Sequence, residues 1–205
     1  MENLDINVAI DIAMRVGADS FINLGGMLGT SKFYNTLASD PAVLRTISLQ
    51  YLFNNPHLIT NESPFHPFFS RCVQAGNPTA CYLESLKLAT REGRAEYALQ
   101  MLLSQPDPLP HANFTIALLQ VCLGFYDDAL RSCSTFLCSA GSFEAADSIG
   151  STVFSQIMQI GPLKIRSHSN TWKWVDIPLC LGCNLSNRCS NCFLYWFSVM
   201  YLLLC

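Results

Sequence analysis

Gly93-Arg94-Ala95-Glu96-Tyr97-Ala98-Leu99 and Gly124-Phe125-Tyr126-Asp127-Asp128-Ala129-Leu130 share a Gly-x4-Ala-Leu pattern, and the second stretch follows the first by 31 residues. That offset falls in the range of helix-hairpin repeats. Glycine permits a tight turn between two helices, and the alanine lets them approach closely. Around the two copies the apolar residues keep a helical period. Leu83, Leu86 and Leu88 follow Asn77-Pro78, a capping residue with proline at the first helical position. Ala95, Ala98, Leu99, Leu102 and Leu103 mark the next helix; Phe114, Ala117, Leu118 and Val121 another; Tyr126, Ala129, Leu130, Cys133 and Leu137 the last. Gly141 to Ala146 repeats Gly-x4-Ala only 17 residues beyond Gly124, out of register.

Upstream, Leu4, Ile6, Val8, Ile10, Ile12, Met14 and Val16 occupy every second position, which is the strand period. Asn7, Asp11 and Arg15 nevertheless form one polar helical stripe, and Asp11 precedes Arg15 in the order that favours an ion pair. A strand of that length would far exceed the usual ~5–6 residues, so the segment is assigned to a helix. Asp19-Ser20 caps a second helix carrying Phe21, Ile22, Leu24, Met27 and Leu28. A short third runs from about Thr30 to Leu37, and Asp40-Pro41 starts a further helical turn with Val43 and Leu44. Residues 51–70 carry Pro56, Pro64 and Pro67 without a clear period and read as a connector, packed down by Phe53, Phe65, Phe68 and Phe69.

Half of the 205 residues are hydrophobic and 13% are charged, which supplies a core and argues against wholesale disorder. The net charge is −3 and the 12 basic residues are scattered, so nucleic acid is not an expected partner. Met1-Glu2-Asn3-Leu4-Asp5 lacks the positive charge of a signal peptide. The expected setting is therefore cytoplasmic or nuclear, with reduced cysteines and with the sequons at Asn61, Asn113 and Asn184 unused. Cys72, Cys81, Cys122, Cys133 and Cys138 sit among helical apolar positions as small hydrophobes.

Beyond about Gly150 the character changes. Cys180-Leu181-Gly182-Cys183 and Cys189-Ser190-Asn191-Cys192 form CxxC-x5-CxxC. Four thiolates make a tetrahedral zinc set, but the five-residue spacer is short beside familiar zinc signatures, so no stoichiometric zinc is expected. Phe193 to Cys205 is apolar apart from Ser198. As a helix it would reach about 20 Å, short of the roughly 30 Å hydrocarbon core, so it is not a membrane span. A buried helix, a weak membrane or partner contact, and a tail never selected to fold all remain open for it. Gly25-Gly26-Met27-Leu28-Gly29-Thr30-Ser31-Lys32 lacks the order of a phosphate loop, and His57, His66, His111 and His168 belong to no catalytic signature. No enzyme activity, cofactor or small-molecule substrate is expected.

Residues 6–50 resemble a divergent F-box. The matching features are Ile10, Ile12 and Val16 in the first helix, Leu24, Ser31-Lys32-Phe33, Leu37, Asp40-Pro41-x-Val43 and Ile47-Ser48-Leu49. The family's opening Leu-Pro is missing, Gly25 and Gly26 stand in the second helix, and no Trp follows the first helices. Arg71-Cys72-x2-Ala75-Gly76-Asn77-Pro78-x-Ala80-x-Tyr82, with the Gly-x4-Ala helices after it, resembles the tetratricopeptide-like segment that follows the F-box in a group of plant F-box proteins.

The helical pattern and the resemblance together lead us to expect an all-α chain: an F-box-like three-helix unit over 1–50 and antiparallel tetratricopeptide-like hairpins over 71–140, with a packed connector over 51–70 and an irregular Cys-rich tail over 141–205 read from composition. The resemblance implies a substrate receptor of a Skp–cullin–RING ubiquitin ligase. Ile10, Ile12, Val16 and Leu24 would meet the Skp-type adaptor, Phe33 and Leu37 would either touch it or hold the helices in place, and the repeat helices would meet a target protein. The alternative is a helical-repeat scaffold that does not engage a ligase.

Overall fold

The computed structural model describes residues 5–165, 168, 171, 178, 180 and 189–205, apart from the side chains of residues 27, 28 and 30. Among the described residues there are helices and no strand. The chain divides into two compact units, Met1–Leu83 and Glu84–Cys205. This boundary differs from the sequence division, because it falls inside one helix, Pro78–Thr90, and places residues 141–205 with the repeats.

In the first unit, α1 (Ile6–Asp19) settles the strand-or-helix ambiguity in favour of helix. Asp5 caps it, its carboxylate accepting from the Asn7 N–H at 2.8 Å, and Arg15 pairs with Asp11 at 3.0 Å. Ser20 caps a 3-10 turn, Phe21–Leu24, that runs into α2 (Gly25–Thr30). The predicted second helix is therefore split in two. Ser31 caps α3 (Lys32–Ala38), and Asp40 caps α4 (Pro41–Thr46) with Pro41 at its first position. The connector is packed down as expected but is more regular than its prolines suggest. It contains α5 (Gln50–Asn54), a 3-10 turn (Pro56–Ile59) and the start of α6 (His66–Gln74). Phe21 stacks on Phe68 at 5.2 Å and meets Phe65 edge-on at 6.0 Å. These ring contacts tie the segment to the N-terminal helices.

Asn77 joins two elements of this unit. Its amide nitrogen donates to the carbonyls of Leu44 at 3.0 Å, Arg45 at 3.2 Å and Ile47 at 3.0 Å, around the end of α4. Its side-chain oxygen accepts from the Ala80 N–H at 3.1 Å and so caps α7 (Pro78–Thr90). Helix ends leave carbonyls and N–H groups without intrahelical partners. One buried side chain here serves both kinds.

The second unit is built around α9 (Pro110–Cys122), whose residues from Phe114 to Cys122 are all buried. Against it pack α8 (Ala95–Leu103), α10 (Tyr126–Ala140), α11 (Phe143–Ile160) and α12 (Ser190–Leu204). A helix apolar on every side belongs in the centre of such a bundle. Gly93 and Gly124 adopt positive φ, 70° and 82°, in the turns before α8 and α10. Ala98 and Ala129 are fully buried. The third, out-of-register copy has the same local form: Gly141 ends α10 at φ 79°, and Ala146 is fully buried in α11.

The region after residue 140 therefore contributes two long helices. Phe193 and Phe197 of α12 close an aromatic cluster with Phe114, Phe136 and Phe154; Phe197 lies 5.1 Å from Phe114 and 5.6 Å from Phe154. At Gly150 of α11 an added Cβ would lie 2.5 Å from the Phe197 ring, so only glycine admits that ring. No helix among the described residues is long and apolar enough to cross a membrane.

Candidate functional site

The six residues expected to meet an adaptor divide into two groups. Ile12 and Phe33 are 46% exposed, and Ile10 and Val16 are half-buried. Leu24 and Leu37 are buried, with almost no exposed surface. The last two belong to the core of the first unit, where they hold the 3-10 turn and α3 against their neighbours; they are not available as contacts on its surface.

The physical reason lies in how α1 packs. Its buried residues are the small ones, Ala9, Ala13 and Gly17, which recur every four positions and form one stripe. Small residues let α1 lie close to α4 and the residues after it. The Ser48 N–H donates to the Gly17 carbonyl at 2.9 Å, and a Cβ on Gly17 would come within 2.5 Å of Ile47. The large apolar residues are displaced to the flanks. At about 100° per residue, Val8, Ile12 and Val16 form a second stripe beside the buried one, while Ile6 and Ile10 fall on the opposite flank. Val8 is 48% exposed and Ile6 50%. Ile22 of the 3-10 turn is exposed too.

Val8, Ile6 and Ile22 escaped the sequence expectation. Alternate apolar spacing makes every large residue of α1 look equivalent. The usable signal was the i, i+4 series Ala9–Ala13–Gly17, which marks the face of close approach and so leaves Val8–Ile12–Val16 outside it. Phe33 stands on α3, which packs on α1, and meets Tyr34 edge-on at 5.5 Å.

In the second unit, Leu103, Asn113, Arg131 and Thr135 line an open groove bounded by α8, α9 and α10. The guanidinium of Arg94 lies over the ring of exposed Tyr97 at 4.8 Å.

Burial raises the thiol pKa of three cysteines of the helical core. Desolvation pushes the Cys72 and Cys133 thiols up to about 12 and raises Cys122 well above the ordinary range, so all three stay protonated. Cys81 is buried as well, but Cys138 is exposed on α10, contrary to the expectation for it. Cys133 donates to the Ser190 carbonyl at the start of α12 at 3.7 Å.

A different arrangement holds at that same end of α12. The sulfur atoms of Cys180, Cys189 and Cys192 all lie within 4.8 Å of one another. Cys183, the fourth member of the sequence motif, lies outside the described residues, as do Trp172, Trp174 and Asn184.

No family model, no curated protein and no solved structure matches this chain.

Proposed function

We propose that this chain is the substrate receptor of a Skp–cullin–RING ubiquitin ligase, docking its adaptor through the N-terminal unit and its target through the helical hairpins. The observation that carries the reading is the apolar stripe Val8–Ile12–Val16. α1 packs through its small residues and leaves Val8 and Ile12 exposed, with Val16 half-buried beside them. Desolvating such side chains against a partner is the main favourable term in association, and a few of them dominate the binding energy. The F-box resemblance of residues 6–50 names the partner. Leu24 and Leu37 act in this reading as positioning residues, keeping the 3-10 turn and α3 in place beside α1.

The groove of Leu103, Asn113, Arg131 and Thr135 is the surface we assign to the target. It offers apolar, amide, hydroxyl and cationic groups together, as protein recognition surfaces do. Ubiquitin transfer itself belongs to other subunits.

The test is co-purification of the full chain with a panel of Skp-type adaptors. Ile12→Asp should weaken the complex a hundredfold or more, because a carboxylate would be desolvated without a partner at a cost of several kcal/mol. Arg15→Asp, at an exposed polar position, should act mildly. Circular dichroism checks that both variants stay helical. If the wild-type chain binds no adaptor, the ligase reading falls and a helical-repeat scaffold takes its place. If Ile12→Asp binds as wild type does, the docking face is misassigned.

A further inference from the structure

Ten cysteines occur in the chain, and three of them converge where α12 begins. Cys189 is the N-cap of α12 and Cys192 lies in its first turn, three residues on, so a single helical turn presents both sulfurs on one side. Cys180 reaches the same point from earlier in the chain, its sulfur 3.5 Å from that of Cys189. A disulfide needs about 2.05 Å, and these atoms are not bonded. Tetrahedral zinc with Zn–S near 2.3 Å sets its sulfurs about 3.8 Å apart; the Cys180–Cys189 separation is 3.5 Å, and all three sulfurs lie within 4.8 Å of one another.

The surroundings suit a cation held by sulfur. Cys192 is 5% exposed, and Cys180 and Cys189 are half-buried. The N-terminal end of α12 favours negative charge, and thus thiolates, at Cys189 and Cys192. Among the described residues no carboxylate or imidazole joins the group, so the donor set is all sulfur. Sulfur donors select soft and borderline ions, with zinc the usual one, and reject magnesium and calcium. Cys133 stands beside this turn, but its proton is held by burial and its thiol points to the Ser190 carbonyl, which leaves it outside the set.

We propose that Cys180, Cys189 and Cys192 hold a structural zinc ion as thiolates, losing their protons to solvent on binding. The short spacer that argued against zinc is no obstacle in this geometry. Only Cys180 has to be brought back by the intervening chain, because Cys189 and Cys192 are set by the helix. The ion ties Cys180 to α12, whose Phe193 and Phe197 complete the aromatic cluster. The fourth position is open to solvent.

The experiment is elemental analysis of the full chain, purified under reducing conditions and reconstituted with zinc. About one zinc per chain is expected, with Cys189→Ser and Cys192→Ser falling to background and Cys138→Ser unchanged. Because a serine variant can fail to fold, a second readout uses the wild-type chain alone. Titrated with cobalt(II), it should develop thiolate charge-transfer bands and the intense visible bands of a tetrahedral site. A helical wild-type chain that keeps less than about a tenth of a zinc, or binds cobalt only with the weak octahedral spectrum, overturns the proposal. So does full zinc in folded Cys192→Ser. A metal-free chain carrying a Cys180–Cys189 disulfide under these conditions would overturn it too, in favour of a redox pair.

Discussion

Asn77 is the residue at which one substitution separates two kinds of hydrogen bond. Its nitrogen serves three carbonyls around the end of α4, and its oxygen serves the first turn of α7. The side chain is 2% exposed, so water does not replace what a mutation removes. Asn77→Ala loses the cap, about 0.5–2 kcal/mol, and strands buried carbonyls, about 1–3 kcal/mol. The expected loss is therefore about 2–4 kcal/mol, since shared acceptors are not additive. Asn77→Asp keeps the oxygen that caps α7 but sets a carboxylate against three carbonyl oxygens. Its folded form should favour the protonated acid, which can donate to one carbonyl. That raises the folded pKa above the unfolded value of about 3.9, so stability is present at low pH and lost as pH rises through the folded value. The assay is urea denaturation followed by circular dichroism for the three proteins at pH 7 and at pH 5. Asn77→Asp should be the less stable variant at pH 7, and its deficit against wild type should shrink at pH 5. An alanine variant within about 1 kcal/mol of wild type, or an aspartate variant whose deficit ignores pH, would refute the double role.

Phe197→Ala should cost about 3–5 kcal/mol by opening a cavity among Phe114, Phe154 and Phe193, whereas exposed Trp196→Ala should stay below about 1 kcal/mol; equal effects would mean that α12 is not core. Gly150→Ala should cost about 1–3 kcal/mol by overpacking and should be partly rescued by Phe197→Leu, so strict additivity of the pair would contradict the close approach at that glycine. The pKa values of His111 and His168 are depressed by desolvation, and the buried Nε2 atom of His168 has no hydrogen-bond partner among the described residues. A depressed histidine adds stability that is fully present above its unfolded pKa of about 6.5 and is lost as pH falls below that value through the lower folded one. The denaturation midpoint should thus drop between pH 7.5 and 5.5 and drop less in His111→Gln; a flat or rising midpoint would contradict this.

Helix starts were the most legible part of the sequence. Asp40-Pro41 and Asn77-Pro78 combine a side-chain cap with a proline whose missing N–H costs nothing at that position, and both begin helices where expected. The repeat glycines were legible for the same local reason. The helices after residue 140 were not. Gly141 ends α10 and Ala146 is buried just as in the earlier copies, but α10 and α11 follow each other without a second short helix between, which breaks the register. Phe193–Cys205 could not be placed from its own composition, because a run apolar on every side has no face to read; its position follows from the gap left at Gly150. At the proposed docking surface, residue type was readable and facing was not. Leu24 and Leu37 look like Ile12 and Phe33 in a sequence, and only packing separates buried from exposed. The cysteine motif was legible, but the convergence of three of its sulfurs depends on α12 beginning at Ser190.

The place of α12 in the second unit also bears on how the protein is made. Phe114, Phe136 and Phe154 emerge from the ribosome well before Phe193 and Phe197, the rings that complete their cluster. At about 5–20 residues per second, the interval between Phe154 and Phe197 lasts a few seconds. That is far longer than the ~1 µs in which a helix forms. During it, α8 to α11 can assemble with an apolar cleft still open, a species suited to capture by a chaperone or to self-association. A stall or a truncation ahead of residue 190 would make that transient state permanent.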